Sequence, residues 1–151
     1  MRAVVTRVKE ASVTIEGKVT GKIDQGYLVL LGVAQDDTEK EAQKLAKKIC
    51  NLRVFDDAEG KMNLPLKDVE GKLLVVSQFT LYADLRHGNR PGFSTAGKPE
   101  IAEPLYERFM ELCREEGFVV EHGIFGADMQ VASINDGPVT LLYDTAELEK
   151  K

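Results

Sequence analysis

Residues 73–81 read Leu73-Leu74-Val75-Val76-Ser77-Gln78-Phe79-Thr80-Leu81, and the run changes abruptly from apolar to polar and aromatic side chains. The apolar half predicts a strand buried in the middle of a sheet, and we expect this strand to extend from Leu73 to Thr80. Polar groups at the end of a buried strand need partners or a function. Residues 77–80 therefore indicate a functional site at the end of this strand.

A second informative run, Asn135-Asp136-Gly137-Pro138-Val139-Thr140, lies between two strand-like segments at 129–134 and 139–143. Gly137 can adopt any backbone angle, whereas Pro138 has a fixed φ and no N–H. The pair predicts a sharp turn between two strands, with carbonyl groups left without partners. A Gly-Pro bond can be cis, but only about one X–Pro bond in twenty is cis in folded proteins, so the dipeptide alone favours trans.

Together the two runs resemble the paired signature motifs of the D-aminoacyl-tRNA deacylases, a family of small proofreading enzymes. The resemblance also covers the Met1–Val5 opening, the Gly26–Val33 segment, the basic loop after Tyr82 and the chain length. It implies a hydrolase that cleaves the ester of D-aminoacyl-tRNA and mischarged glycyl-tRNA but rejects L-aminoacyl-tRNA. It further implies a three-layer α/β/β fold and a symmetric homodimer, in which a cis Gly-Pro pair enters the neighbouring subunit's active site.

Main-chain chemistry is the expectation for the catalytic candidates Ser77, Gln78, Phe79 and Thr80. Backbone amides around Phe79 and Thr80 can stabilise an oxyanion at the strand end. A threonine nucleophile needs a base, and the run contains no His, Asp or Glu. We therefore favour positioning of the substrate, assisted by the 2′-hydroxyl of the tRNA, over covalent attack by Thr80. The alternative is that Ser77 and Thr80 only satisfy the end of the strand.

Substrate selection is expected at Gly137 and Pro138. If their carbonyls project into the space of an L side chain, an L ester is excluded by a clash, whereas a D side chain points to solvent. Glycine offers nothing to exclude, so glycyl esters would also be cleaved.

The resemblance places Phe125 and Met129 at positions that line the adenosine pocket of the family. A methionine at strand spacing is more often a core residue, so this assignment competes with simple packing. Arg7 and Gln130 are weaker candidates for ligand contact.

The formal net charge of −5 argues against a protein that coats duplex nucleic acid by neutralising many phosphates. A local contact remains open, because the segment Leu85–Lys98 contains Arg86, Arg90 and Lys98 and no acid. We predict that these three residues contact the phosphates of the tRNA 3′ end. The alternative is a solvated loop that happens to be basic.

The composition, with 151 residues of which 43% are hydrophobic, predicts one domain spanning 1–151. No apolar stretch approaches a membrane span, and the opening lacks the apolar segment of a signal peptide, so we expect a cytoplasmic protein without membrane contact. Cys50 and Cys113 show no CxxC spacing, and the two histidines have no ligand spacing. We expect neither a metal nor another cofactor.

Hydrophobic periodicity predicts about seven strands and two long helices, and hence an α/β protein with a mostly non-parallel sheet. Thr38 and Glu41 have the spacing of a capping box at the start of the first helix. The second helix is predicted at 99–116, with a kink or a break at Pro104. Residues 62–68 are predicted to form an irregular connection.

Two other functions remain open at this point. A small Ser or Thr esterase is disfavoured, because the chain lacks a GxSxG elbow and a base for a triad. A non-catalytic module that binds RNA ends or peptides could use the same pocket and the basic loop.

Overall fold

The computed structural model describes residues 1–149, which form eight strands, three α-helices and two short 3-10 helices. The α-helices are α1 (Glu39–Cys50), α2 (Pro99–Glu115) and the short α3 (Thr145–Leu148), and the 3-10 helices are Leu66–Val69 and Phe79–Tyr82. The strands are β1 (Arg2–Ile15), β2 (Lys18–Ile23), β3 (Gly26–Gly32), β4 (Arg53–Asp56), β5 (Met62–Pro65), β6 (Lys72–Ser77), β7 (Val120–His122) and β8 (Gln130–Asp144). Within these residues no helix is both long and apolar enough to cross a membrane.

Six strands form one mixed sheet in the order β2-β1-β3-β6-β7, and β8 pairs with the other edge of β1. The three neighbours of β1 are antiparallel to it, whereas β3, β6 and β7 run parallel to one another. β4 and β5 form a separate antiparallel pair. The predicted α/β class with a mostly non-parallel sheet is confirmed.

The central strands are buried on both faces, as their apolar sequences predict. Alternate residues of β3 and β6, such as Val29 and Val75, pack with α1 and α2 in the larger core. Their neighbours Leu28 and Leu74 belong to a second core on the opposite face. The sheet curls over this second core, since a Cβ built on Gly21 of β2 would lie 2.5 Å from a carbonyl oxygen of β7. Helices, sheet and curled sheet make up the predicted three layers.

The strand that was predicted to reach Thr80 ends at Ser77. Gln78 still donates its N–H to the carbonyl of Leu31 at 2.8 Å, but Phe79 then begins a 3-10 helix. Thr80 therefore lies in a helical turn and not in the sheet.

The turn predicted between two strands at Gly137-Pro138 is wrong, because β8 runs continuously from Gln130 to Asp144. Asn135 pairs with Val8 and Thr140 with Thr6, so four residues of β8 stand opposite Arg7 alone. Pro138 has no N–H for the ladder, and the extra residues bulge outward as an excursion from the strand. The Gly137-Pro138 bond is cis, as the family resemblance implied.

Two further predictions about local structure need correction. α2 is one helix through Pro104, so of the predicted kink or break the break is wrong. Pro104 and Glu100 are exposed, so water can satisfy the Glu100 carbonyl that lacks an N–H partner. The segment 62–68 is not irregular, since it contains β5 and most of a 3-10 helix. The capping box of α1 is confirmed, with Thr38 N–H donating to Glu41 Oε2 at 2.7 Å.

Candidate active site

The three parallel strands β3, β6 and β7 end at the same edge of the sheet, and the candidate catalytic residues follow β6 there. Val75 of β6 pairs with His122, the last residue of β7, so the segment after β7 leaves the sheet close to the end of β6. The carboxyl ends of parallel strands are the usual place for ligands in such sheets. The fold thus places Ser77–Thr80 and the segment after β7 at one edge.

The turn at the end of β6 presents two adjacent N–H donors. Phe79 and Thr80 begin the 3-10 helix, and the first N–H groups of a helical turn have no carbonyl partner within it. The preceding carbonyl, that of Gln78, accepts from Leu81 at 3.2 Å. Within residues 1–149 no hydrogen bond engages the amides of Phe79 and Thr80. Both amides are therefore available to a ligand.

The Thr80 hydroxyl is held in place but not activated. Gln78 Nε2 donates to Thr80 Oγ1 at 2.5 Å, and both side chains lie at the surface of the turn. An amide NH₂ has no basic site that could take the hydroxyl proton. The geometry therefore supports a positioning role for this pair.

Phe93 is a candidate that the sequence interpretation missed. Its ring lies edge-to-face against Phe79, with the ring centroids 4.9 Å apart. Phe79 is 54% exposed and Phe93 37%, so the pair forms an apolar surface beside the two free amides. The only available signal was that Phe93 is the one Phe, Tyr or Trp in the loop 83–98.

The loop 83–98 has an ordered backbone. Asp84 and Gly92 exchange two backbone hydrogen bonds, of 2.7 and 3.0 Å. Gly97 N–H donates to the carbonyl of Val33 at 2.8 Å, and Lys98 N–H donates to Gln35 Oε1 at 3.0 Å. These bonds fix the base of the loop to the connection between β3 and α1.

The charge of this loop is smaller than its sequence indicates. Arg86 donates two side-chain hydrogen bonds of 2.9 Å to Asp84, just outside the acid-free run. These bonds lower the pKa of Asp84 to about 2. Arg90 and Lys98 are exposed, so they remain as the cations of the loop that an RNA phosphate could meet.

Phe125 and Met129 both flank the end of β7. The Phe125 ring lies 6.0 Å from that of Tyr106, whose hydroxyl donates to the carbonyl of Val75 at 3.1 Å. Burial raises the pKa of Tyr106 to about 12, so the phenol stays a donor. The Met129 sulfur lies against Gly123, and the residue also packs on the second core, so packing accounts for part of its position. Gln130 pairs with Thr14, at the end of β1 remote from Arg2.

Arg7 braces the excursion that contains Gly137 and Pro138. Its side chain is buried, and Nε donates to the carbonyl of Asp136 at 2.9 Å while Nη1 donates to that of Val54 at 2.5 Å. The carboxylates of Asp56 and Asp136 each lie 3.8 Å from the guanidinium. Arg7, considered a weak candidate for ligand contact, thus has a supporting role in this chain.

Asn135 closes the excursion from within. Its Oδ1 accepts from Val139 N–H at 2.8 Å, and its Nδ2 donates to Thr140 Oγ1 at 2.8 Å. Gly137 has a φ of 135°, which L residues rarely adopt, and an added Cβ would lie 2.9 Å from Arg7 Nη2. The main chain of Gly137 and Pro138 is therefore held in one conformation outside the β1–β8 ladder.

The two motifs do not meet within one chain. Ser77 pairs with Leu31 and Leu31 with Ala3, whereas the excursion stands opposite Arg7 on the other edge of β1. At about 3.3 Å per residue and about 4.8 Å per strand, the separation is on the order of 20 Å. The turn at Ser77–Thr80 and the Gly137-Pro138 pair can form one site only between two chains.

The thiols of the chain lie outside this site. Cys50 and Cys113 are buried, and the hydrogen bond with Cys50 together with burial raises the pKa of the Cys113 thiol. Among residues 1–149, no group of three or more His, Cys, Asp or Glu side chains is arranged to hold a metal ion.

Comparison with known proteins extends over nearly the whole chain. Residues 4–144 match the family model described as D-Tyr-tRNA(Tyr) deacylase. The chain is 58% identical to the D-aminoacyl-tRNA deacylase of Exiguobacterium sibiricum, over 95% of this chain and 99% of that protein. It is 56% identical to that of Thermosipho africanus, over 98% and 99%. A solved structure described as c-Myc DNA Unwinding Element Binding Protein has a TM-score of 0.89 and 43% identity, covering 95% of this chain and 98% of that one. The chain therefore belongs to the D-Tyr-tRNA(Tyr) deacylase family.

Proposed function

We propose that the protein hydrolyses the ester bond of D-aminoacyl-tRNA, releases free tRNA and the D-amino acid, and leaves L-aminoacyl-tRNA intact. Mischarged glycyl-tRNA is a further substrate. The observation that carries this proposal is the exposed pair of free amides at Phe79 and Thr80 in a chain that belongs to a deacylase family. The setting is translation quality control in the cytoplasm.

Hydrolysis needs only modest catalysis, because an aminoacyl ester on a ribose is already an activated bond. When water attacks the carbonyl, negative charge develops on its oxygen, and the amides of Phe79 and Thr80 stabilise that charge. Removal of one such donor typically costs 10²- to 10³-fold in rate. Ser77, Gln78 and Thr80 position the ribose end of the substrate, and the 2′-hydroxyl of the tRNA assists the attacking water.

Phe125, Met129 and the Phe79–Phe93 pair provide the apolar surfaces around the terminal adenosine. Aromatic side chains commonly hold single-stranded bases by stacking, at about 1–3 kcal/mol per base. Arg90 and Lys98 then lie near the phosphates that precede the adenosine, and Arg86 joins them when a phosphate competes with Asp84.

Selection depends on rejection of the L side chain. The carbonyls of Gly137 and Pro138 occupy the space that an L side chain needs, while a D side chain points to solvent. The bracing by Arg7 and Asn135 supports this role, because a carbonyl that rejects by clash must not move away.

The functional unit is a homodimer with two composite sites, in which the excursion of one subunit enters the site of its partner. The separation of the two motifs within one chain supports this arrangement. So does the outer surface of β8, where Leu142 is 81% exposed and Ile134 50%. Apolar side chains on a strand with a free edge are typical of a protein interface.

Deacylation of matched D-tyrosyl, L-tyrosyl and glycyl esters of one tRNA tests the proposal. The expected result is rapid loss of the D-tyrosyl and glycyl esters and retention of the L-tyrosyl ester. Equal rates on D and L esters would favour a general esterase. Binding of the tRNA end without hydrolysis would favour a non-catalytic binding module.

A further inference from the structure

An open groove of about 850 Å³ runs along α1 and shares no lining residue with the candidate active site. Nine residues line the groove, and none of them is acidic: Lys40, Gln43, Lys44, Lys47, Lys48, Asn51, Leu52, Arg53 and Tyr143. Five of the nine are cationic in a chain whose net charge is −5. The loop 83–98 is therefore not the only place in the protein where phosphates could be met.

The lysines form a stripe along one side of the helix. Lys40, Lys44 and Lys47 are spaced by four and three residues, which places them on a common face. Glu149 pairs with Lys44 and, at 3.8 Å, with Lys40. Lys47 and Lys48 are exposed and form no ion pair with any residue of 1–149. The groove thus has uncompensated positive charge at its centre.

The floor of the groove is apolar, which distinguishes it from a plain cluster of surface lysines. Leu52 and Tyr143 are half-buried in it. Lysine side chains above an apolar floor suit an elongated ligand that alternates phosphates with less polar sugars.

The position of the groove connects it with the selecting excursion. Arg53 at its end precedes Val54, whose carbonyl accepts a hydrogen bond from Arg7. The same guanidinium holds the carbonyl of Asp136, next to Gly137. The end of the groove and the excursion are therefore connected through one buried side chain, that of Arg7.

We infer that this groove binds the phosphodiester backbone of the RNA substrate, at the duplex that precedes the single-stranded 3′ end. The inference rests on the proposed function for the identity of the RNA. The subunit that supplies Gly137 and Pro138 to a composite site also supplies the cationic groove that leads away from it. Local positive charge in an acidic protein concentrates phosphate contact at its few cationic surfaces, so the groove and the loop 83–98 together orient the RNA.

The test compares the double variant Lys47→Gln/Lys48→Gln with the double variant Lys18→Gln/Lys22→Gln on β2. Both remove two exposed lysines and change the net charge equally, and Gln replaces Lys in a helix with little loss of propensity. The measurements are the affinity for uncharged tRNA as a function of salt, the affinity for a CCA trinucleotide, and the rate of D-tyrosyl-tRNA deacylation.

For the groove variant we expect about a tenfold loss of affinity for tRNA. The slope of log affinity against log salt concentration should become shallower by about 2. The β2 variant should show neither change. The preference for tRNA over the trinucleotide should shrink by the same factor.

If the groove variant binds tRNA like the unaltered protein, and the unaltered protein binds and deacylates tRNA, the inference is wrong and the proposed function stands. An equal loss for tRNA and trinucleotide would also overturn it, since the groove would then act on the 3′ end. An unaltered protein that neither binds nor deacylates tRNA would refute the proposed function itself.

Discussion

The turn at the end of β6 and the excursion of β8 carry the two halves of the proposed site, and they are built in opposite ways. The turn follows a strand buried on both faces and is fixed by the sheet beneath it, with Gln78 still bound to β3. The excursion leaves a largely exposed strand and is fixed by one buried arginine and one asparagine. The proposed catalytic half is therefore held by the core of its own subunit, whereas the proposed selecting half depends on a few polar contacts.

The largest expected effect comes from removing one amide of the turn without changing its shape. Phe79 is the first residue of the 3-10 helix, where proline is well tolerated, and Gln78 before it has φ −139° and ψ 81°, outside the α region that a following proline disfavours. Phe79→Pro should therefore lower kcat for D-tyrosyl-tRNA by about 10²- to 10³-fold. Single-turnover deacylation measures this loss.

The matched variant Phe79→Leu keeps the amide and alters only the side chain. It should lose less than about tenfold, through the contact with Phe93. Equal losses in the two variants would show that the ring, and not the main-chain donor, supports the reaction.

Weakening the contacts that hold the excursion should lower the stability and the selectivity between D and L esters without removing the catalytic turn. Arg7→Met leaves the carbonyls of Val54 and Asp136 without donors, so we expect the free energy of unfolding to fall by about 3 kcal/mol. For a chain of this size that lowers Tm by about 6–12 °C. The ratio of D to L deacylation rates should fall by about tenfold or more, because the carbonyls of the excursion shift.

Calorimetry and the paired deacylation assay report these two effects. Lys9→Met, at an exposed position on the same strand, is the control for loss of a cation. A variant Arg7→Met with an unchanged ratio of D to L rates would show that the excursion holds its shape without this side chain.

Thr80→Ala tests whether the Thr80 hydroxyl positions the substrate or acts as the nucleophile. If the hydroxyl only positions substrate with Gln78, kcat should fall by less than about tenfold. A nucleophile would instead be revealed by a loss of more than about 10⁴-fold. Deacylation rates at saturating substrate distinguish these outcomes.

The smallest effect concerns the loop beside the turn. The hydrogen bonds from Arg86 lower the pKa of Asp84 from 3.8 to about 2. A carboxyl with a lowered pKa contributes stability above its ordinary pKa and loses the contribution as pH falls towards its folded value. The NMR shift of the Gly92 amide reports the titration in the folded protein, so it should stay constant down to about pH 3 and change around a midpoint near pH 2. Asp84→Asn should abolish this change, and its persistence in that variant would assign the titration to another group.

The sequence predicted the elements that local patterns determine. Continuous apolar runs identified β3 and β6 as strands buried on both faces, because an amphipathic strand would have alternated. Thr38 and Glu41 located the start of α1, since the reciprocal bonds of a capping box need only residues three apart. The family resemblance supplied the deacylase assignment, which the comparisons with known proteins bear out.

Long-range pairing decided what the sequence could not show. Gly137-Pro138 indicated a turn, but continuous pairing of β8 with β1 on both sides of it made an excursion. The pairing of Arg86 with Asp84 reduced the charge of a loop that contains no acid between 85 and 98. The lysines of α1 lie on a helix whose other face is buried, and their side becomes a groove where Leu52 and the sequence-distant Tyr143 of β8 form its floor.

The free amides of Phe79 and Thr80 also bear on how such an enzyme could be inhibited. Main-chain nitrogen atoms do not react with the electrophiles that trap serine or cysteine hydrolases, and the two thiols are sealed between the helices. If the two amides bind the oxyanion as proposed, compounds that block the reaction at this turn would imitate the tetrahedral oxyanion by shape and charge. An organism could not become resistant to such compounds by replacing a reactive side chain, because the groups that they bind belong to the main chain.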